Sequence, residues 1–348
     1  MKTLFFLTLS LLLISGCMSN SNPNSSSPDL LLTPNVTFTP SFDQRWIGNG
    51  ISYSPYRDGE SPEFGSLTST ENILEDLQIV AQDWNLIRLY GAGAVSERIL
   101  QVIHDNNLPI KVMKGAWVSG LQTKVQNDTE VSEAIRLAQT YSDIVVAVNI
   151  GNELLVEWSG HRLVTSRSEP DVAQVIAYVK HAQTTLEQPV TVMEDYNFWN
   201  KAYAPPLAEA VDFIGLHAYA FWNNVPLTDT TGLVSLRWTQ QIYQDIQQIY
   251  PTKQLVIGET GWPTSRIYND GSYEGGLVGI ASEANQKTFF DAYNNWINEE
   301  QIVSFYFVAF DEKWKGGWDG PTPEAKAEKN WGLYYSDRTP KQAMQTPE

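Results

Sequence analysis

The chain has 348 residues, enough for one large domain or two small ones, and its 42% hydrophobic content can supply a sizeable core. With 40 acidic against 23 basic side chains the formal charge is −17, which excludes nucleic acid as a partner and makes a neutral or cationic one the expectation. Only 18% of residues are charged and 12 are Trp, a composition that also excludes a disordered chain.

Lys2 and an apolar run from Leu4 to Ile14, interrupted only by Thr8 and Ser10, lead to Ser15, Gly16 and Cys17. The run is too short to span a bilayer well, and residues 1–16 read as a secretory leader. Cys17 is the only cysteine, and the stretch Ile14-Ser15-Gly16 before it resembles the lipobox of bacterial lipoproteins. The expectation is a lipid anchor on Cys17 in the cell envelope, with secretion as the outcome if the lipobox is not used. Met18 follows, where an Asp would signal inner-membrane retention in enteric-type lipoproteins, so the outer membrane is expected. One cysteine allows no disulfide within the chain. Asn35 and Asn127 open Asn-x-Thr triplets, for which chance is the plain explanation.

Residues 17–40 are rich in Ser, Asn and Pro, with Leu30 to Leu32 as the apolar exception, and read as a tether. Such a coil would hold a globular body at an r.m.s. distance of about 25–30 Å from the anchor. The body is expected over residues 41–348, as a monomer.

Eight short β-branched runs follow: Trp46 to Tyr53, Leu86 to Tyr90, Pro109 to Ala116, Ile144 to Ile150, Val190 to Glu194, Val211 to His217, Leu255 to Glu259 and Val303 to Phe310. Each suits a buried parallel strand. Between them lie amphipathic stretches such as Asn72 to Asp83, with Ile73, Leu77 and Val80 on one face and Thr68-x-x-Glu71 as a candidate capping box. Val172, Val175, Ile176 and Val179 form another such face. Eight strands alternating with helices over roughly 300 residues predict a single (β/α)8 barrel.

In such a barrel the site forms at the C-terminal strand ends. Those ends carry Tyr53, then Arg88-Leu89-Tyr90, Gly151-Asn152-Glu153, Glu194-Asp195-Tyr196, His217-Ala218-Tyr219, Glu259 to Pro263, and Asp311-Glu312. The glutamates closing the fourth and seventh strands are expected to face one another across the barrel mouth. A glycosidic oxygen is a poor leaving group, so its cleavage needs one carboxylic acid to protonate it and a second carboxylate to attack or to activate water. A carboxylate gap of ~5–5.5 Å gives retention, and one of ~6.5–9.5 Å gives inversion.

Four blocks carry a resemblance: Gly50-Ile51-Ser52-Tyr53-Ser54-Pro55, Ile87-Arg88-Leu89-Tyr90, Ile150-Gly151-Asn152-Glu153-Leu154-Leu155 and Gly258-Glu259-Thr260-Gly261-Trp262-Pro263. In this order they are similar to blocks of glycoside hydrolase family 17, which contains the β-1,3-glucanases, and the likeness extends from Trp46 to about Tyr335. It implies a barrel of the two-glutamate clan, retaining chemistry on β-glucan and no cofactor. It also implies Glu153 as acid/base and Glu259 as nucleophile. Asn152 would hydrogen-bond the sugar 2-OH, Tyr53 would position or polarise the nucleophile, and Glu312 with Lys315 matches a Glu-x-x-Lys pair that binds sugar or tunes the acid. Glu312 is the rival to Glu153 as proton donor.

Trp117, Trp158, Tyr196, Trp199, Tyr219, Trp222, Trp262, Trp314 and Trp331 lie at or after strand ends, and about half are expected to stack on sugar rings, Tyr196, Tyr219 and Trp262 among them. His217 reads as a hydrogen-bond donor lining the barrel, since no second histidine stands at ligand spacing, and no metal is expected. Trp158 to Asp171 and Trp314 to Trp331 depart from the plant-enzyme pattern. Endo-cleavage, exo-cleavage, glucanosyl transfer and a glycan-binding barrel without activity therefore remain distinct outcomes, with endo-hydrolysis expected.

Overall fold

Each β-branched run becomes one stave of a closed barrel. The computed structural model describes residues 37–266, 278–315 and 327–345. Cys17, Asn35, most of the expected tether and the middle of the Trp314 to Trp331 stretch lie outside the described residues.

The strands are β1 (Asn49–Ser52), β2 (Leu86–Arg88), β3 (Lys111–Ala116), β4 (Val145–Asn152), β5 (Val190–Asp195), β6 (Ile214–His217), β7 (Leu255–Thr260) and β8 (Ser304–Tyr306). They pair in parallel in chain order, and β8 closes on β1 with Ser304 beside Asn49 and Tyr306 beside Ile51. Helices α1 (Thr70–Val80), α2 (Ala94–Asp105), α3 (Lys124–Thr140), α4 (Val172–Gln183), α5 (Tyr196–Trp199), α6 (Pro205–Ala210), α7 (Val234–Ile249) and α8 (Glu283–Glu299) form the crossovers. This is the expected (β/α)8 barrel. No helix among the described residues is long and apolar enough to cross a membrane.

Local chemistry moves several boundaries. The N-cap of α1 is Ser69 and not Thr68: Ser69 Oγ accepts from the Asn72 N–H at 3.2 Å, while the Thr68 hydroxyl donates to Glu60 Oε2 at 2.6 Å. The run from Trp46 to Tyr53 divides. Arg45–Trp46 pairs antiparallel with Ser41–Phe42, and only Asn49–Ser52 joins the barrel. The last strand ends at Tyr306, but the chain keeps to its course beyond it, with Phe307 N–H donating to Thr260 O and Ala309 N–H to Ser52 O.

Phe38 falls inside the expected tether, yet it is buried in the compact unit that starts at Asn35. Its ring stacks on Phe213 with centroids 5.1 Å apart, and its backbone exchanges two 2.8 Å hydrogen bonds with the Gln254 amide. With Leu86, Met113, Met193, Val256 and Phe305 it fills the barrel interior with apolar groups. That packing leaves the polar ends of the strands at the opposite mouth free to form a site.

Candidate active site

The geometry at the mouth starts with an irregularity in β4. Its pairing with β5 shifts register between Asn149 and Asn152, Gly151 adopts φ 81°, and Glu153 follows at φ 48°. A non-glycine residue in the left-handed region needs support from its surroundings. Here the Glu153 N–H donates to Met193 O at 2.8 Å, and the buried Glu194 carboxylate accepts from the N–H groups of Leu154 and Leu155 at 2.7 and 2.9 Å. The turn points the Glu153 side chain, 15% exposed, at the barrel axis.

Glu259 closes β7 and is gripped on both oxygens. Arg88 Nη1 and the Tyr90 hydroxyl donate to Oε1 at 2.8 and 2.9 Å, and the Tyr219 hydroxyl donates to Oε2 at 2.8 Å. Burial pushes both phenols far above their ordinary range, and the Glu259 charge adds to it, so each stays a donor. Arg88 also donates to Gly258 O at 3.0 Å and, through Nη2, to Asn152 Oδ1 at 2.5 Å, so one guanidinium ties β2 to β4 and β7.

His217 links the two glutamates. Its Nε2 lies 3.3 Å from Arg88 Nη1, which can only donate, so Nε2 accepts and the ring proton sits on Nδ1, 3.0 Å from Glu153 Oε1. Burial pulls the imidazole down to about 4, leaving a neutral donor above that pH. One potential ligand atom each from Glu153, His217 and Glu259 lie within 4.8 Å of one another. A cation held there would need the Nδ1 lone pair, and the Nε2 proton thereby required would meet Arg88. The trio suits a fixed hydrogen-bonded cluster, with the neutral imidazole donating to Glu153, better than a metal.

The two carboxyl groups are pushed in opposite directions. Glu153 is raised well above the usual carboxylate range by burial first, then by the charges of Glu259, Asp195 and Glu328. Burial also pushes Glu259 up, but His217, Arg88, the Tyr219 hydroxyl and Lys315 outweigh it and hold it below the usual range. His217 lowers it only as an imidazolium, so with the ring neutral at working pH Arg88 and Lys315 are the cations that persist.

Around this pair lies a cleft of about 1290 Å³, lined by Trp117, Trp158, Trp222, Trp314 and Trp331, and also by Tyr219, Asn152, Glu312 and Lys315. Lys315 Nζ lies 2.8 Å from Glu312 Oε2. Three of the expected contacts fall elsewhere. The Tyr53 ring borders the cleft, but its hydroxyl donates to Asp76 Oδ2 at 3.2 Å and not to Glu259. Trp262 is fully buried against Phe221 and Phe289, its Nε1 donating to Ile280 O at 2.9 Å. Tyr196 opens α5, packs on Trp238 and donates to Asn223 Oδ1 at 2.6 Å, outside the lining; Trp199 is likewise core. Arg88, Tyr90 and Glu194 were visible as strand-end residues, but their roles were not. Glu328, which borders the cleft and which burial pushes up to about 7, carried no sequence signal.

A parallel eightfold barrel with two glutamates closing β4 and β7 defines the class of (β/α)8 glycoside hydrolases. Residues 50–332 match the BtgE/BtgC glycoside hydrolase domain, and the chain belongs to that family, within glycoside hydrolase family 17. It is 27% identical over 319 residues to a putative glucan endo-1,3-β-glucosidase, btgC, of Aspergillus niger, an alignment that takes in 86% of this chain and 43% of that one. The chain thus spans less than half the length of this curated relative. An endo-laminarinase from Formosa superposes with a TM-score of 0.69 at 25% identity, covering 86% of each chain. A family 17 β-1,3-glucanosyltransferase from Rhizomucor miehei, 19% identical, shares the fold with a TM-score of 0.63 over 85% of this chain and 96% of that one.

Proposed function

We propose that the protein is a retaining, endo-acting β-1,3-glucan hydrolase. The observation that carries this reading is the Glu153–Glu259 pair: an oxygen of each lies within 4.8 Å of the other, a closeness that favours the ~5–5.5 Å carboxyl gap of retaining enzymes over the ~6.5–9.5 Å gap of inverting ones. Protonated Glu153 gives its proton to the glycosidic oxygen as the Glu259 carboxylate attacks the anomeric carbon; the leaving chain departs and a glycosyl-enzyme forms. Glu153, now ionised, takes a proton from water, whose oxygen attacks the same carbon and releases Glu259. Asn152, which lines the cleft beside Arg88, would meet the sugar 2-OH, a contact that strengthens as positive charge develops on the ring. Glu312, held by Lys315, is the weaker candidate for the acid. The names of the relatives, glucan endo-1,3-β-glucosidase and endo-laminarinase, support the linkage and the endo mode.

The test is incubation of the full chain, solubilised in detergent, with laminarin, with products resolved by size over time. A falling ladder of oligosaccharides is expected. Glucose or a dimer alone would replace the endo mode by exo-cleavage, products longer than the substrate would indicate glucanosyl transfer, and no change would overturn the reading.

The leader and Cys17 support lipid anchoring at the outer membrane, where the enzyme, proposed as a monomer, would act on β-glucan outside the cell. Radiolabelled palmitate should enter the parent protein and not Cys17→Ala, and the label should fractionate with outer membranes. An unlabelled, freely secreted parent would contradict the anchor.

A further inference from the structure

We infer that Lys114 and Glu130 are positioning residues that clasp the loops following β2 and β3, and so set Tyr90 against Glu259 and Trp117 along the cleft. The inference rests on the glucanase reading for its catalytic consequence, but the clasp itself stands on geometry alone.

Lys114 is wholly buried in β3. Its neighbour Met113 faces the barrel interior, while Val112 and Ala116 join the layer between sheet and helices, so alternation turns Lys114 outward toward that layer. There its ammonium donates to Gly115 O at 2.6 Å and to Gly91 O, an oxygen that also receives the Ser96 hydroxyl. Glu130, on α3, does the complementary work: its Oε1 accepts from the Ala92 N–H at 2.6 Å and from the Trp117 N–H at 2.8 Å. A cation thus holds two carbonyls, one in the loop after β2 and one near the end of β3, and an anion holds two N–H groups, one in each of the two loops.

Both loops carry groups that face the reaction. Gly91 and Ala92 follow Tyr90, whose hydroxyl grips the nucleophile candidate, and Trp117 borders the cleft with its ring 4.9 Å from that of His161. The strands leave little slack between them, since a Cβ on Gly115 would lie 2.3 Å from Tyr90 O. Burial pulls the Lys114 ammonium down to about 7 despite the charges of Glu130 and Glu133. An apolar side chain would fill this outward site at less desolvation cost, and the backbone contacts are what an apolar residue lacks.

The experiment compares Lys114→Met, Glu130→Ala and Glu130→Gln in the full chain. Misplacing Tyr90 or Trp117 is expected to lower kcat in Lys114→Met and raise KM in Glu130→Ala, each by about tenfold or more. Glu130→Gln keeps an acceptor oxygen and should lose less than Glu130→Ala. In a Tyr90→Phe background, Lys114→Met should lose most of its effect on kcat, because the two act through one hydroxyl. Folded Lys114→Met with parental kcat and KM, or effects fully additive with Tyr90→Phe, would overturn the proposal. Amide exchange at Ala92 and Trp117 separates this from the glucanase reading: it should accelerate in Glu130→Ala whatever the substrate, and unchanged exchange would refute the clasp. Accelerated exchange in a protein whose parent cleaves no β-1,3-glucan would refute the glucanase reading instead.

Discussion

Glu153 and Glu259 are the same side chain at the ends of two strands of one barrel, and their surroundings differ in almost every respect. Glu259 lies within strand β7, where pairing with both β6 and β8 shifts register, and accepts from Arg88, Tyr90 and Tyr219, so burial there is matched by donors. Glu153 stands on a left-handed backbone, has His217 as its partner, and is surrounded by the charges of Glu259, Asp195 and Glu328. Donors stabilise a carboxylate, whereas burial among other carboxylates stabilises the acid. A division of labour between an ionised attacking group and a protonated donating one therefore follows from what surrounds each residue.

The comparison breaks hardest at Glu259. Glu259→Gln should lower kcat on laminari-oligosaccharides by at least ~10³-fold while calorimetry still detects glucan binding; an unaffected rate would remove it from the reaction. Glu153→Gln should cost ~10²–10⁴-fold on glucan and far less on an aryl glycoside whose leaving group needs no proton. Equal losses on both substrates would deny Glu153 the acid role. Arg88→Met should cost about 10²-fold and move the acidic limb of the kcat/KM profile toward neutral pH, because Glu259 would keep its burial and lose its cation. The parent profile should be bell-shaped, falling at low pH as the pair gains the proton that Glu259 must lack, and at high pH as it loses the one on Glu153.

The smallest effect concerns stability. Glu328 binds its proton more tightly in the folded protein, with a pKa of about 7, than a free carboxyl does, so its contribution is complete below the ordinary carboxylate pKa and is lost as pH rises to about 7. Thermal unfolding should show Tm falling across that window, with a shallower fall in Glu328→Gln. The same slope in both would show that Glu328 is not among the groups responsible.

Much of this architecture was legible in the chain itself. The strands are short β-branched runs because both faces are buried, and Glu153 and Glu259 stand out because each ends such a run. What sequence did not disclose were the contacts made across the barrel. Arg88 and Tyr90 meet Glu259 from 171 and 169 residues away, and no local pattern encodes that meeting. Proximity in sequence misled in the other direction. Trp262 follows Glu259 by three positions, but the turn carries its ring into the core beneath Phe221, and the Tyr53 hydroxyl goes to Asp76. The Ser69 cap moved for a similar reason, since Thr68 found a better acceptor in Glu60.

The most direct test of the central claim is to trap the intermediate with a 2-deoxy-2-fluoro-β-glucosyl donor and locate the label by peptide mass spectrometry. One sugar per chain, esterified to Glu259, is the expected result. A label on Glu153 or Glu312, or full turnover of substrate with no covalent species formed, would contradict the account.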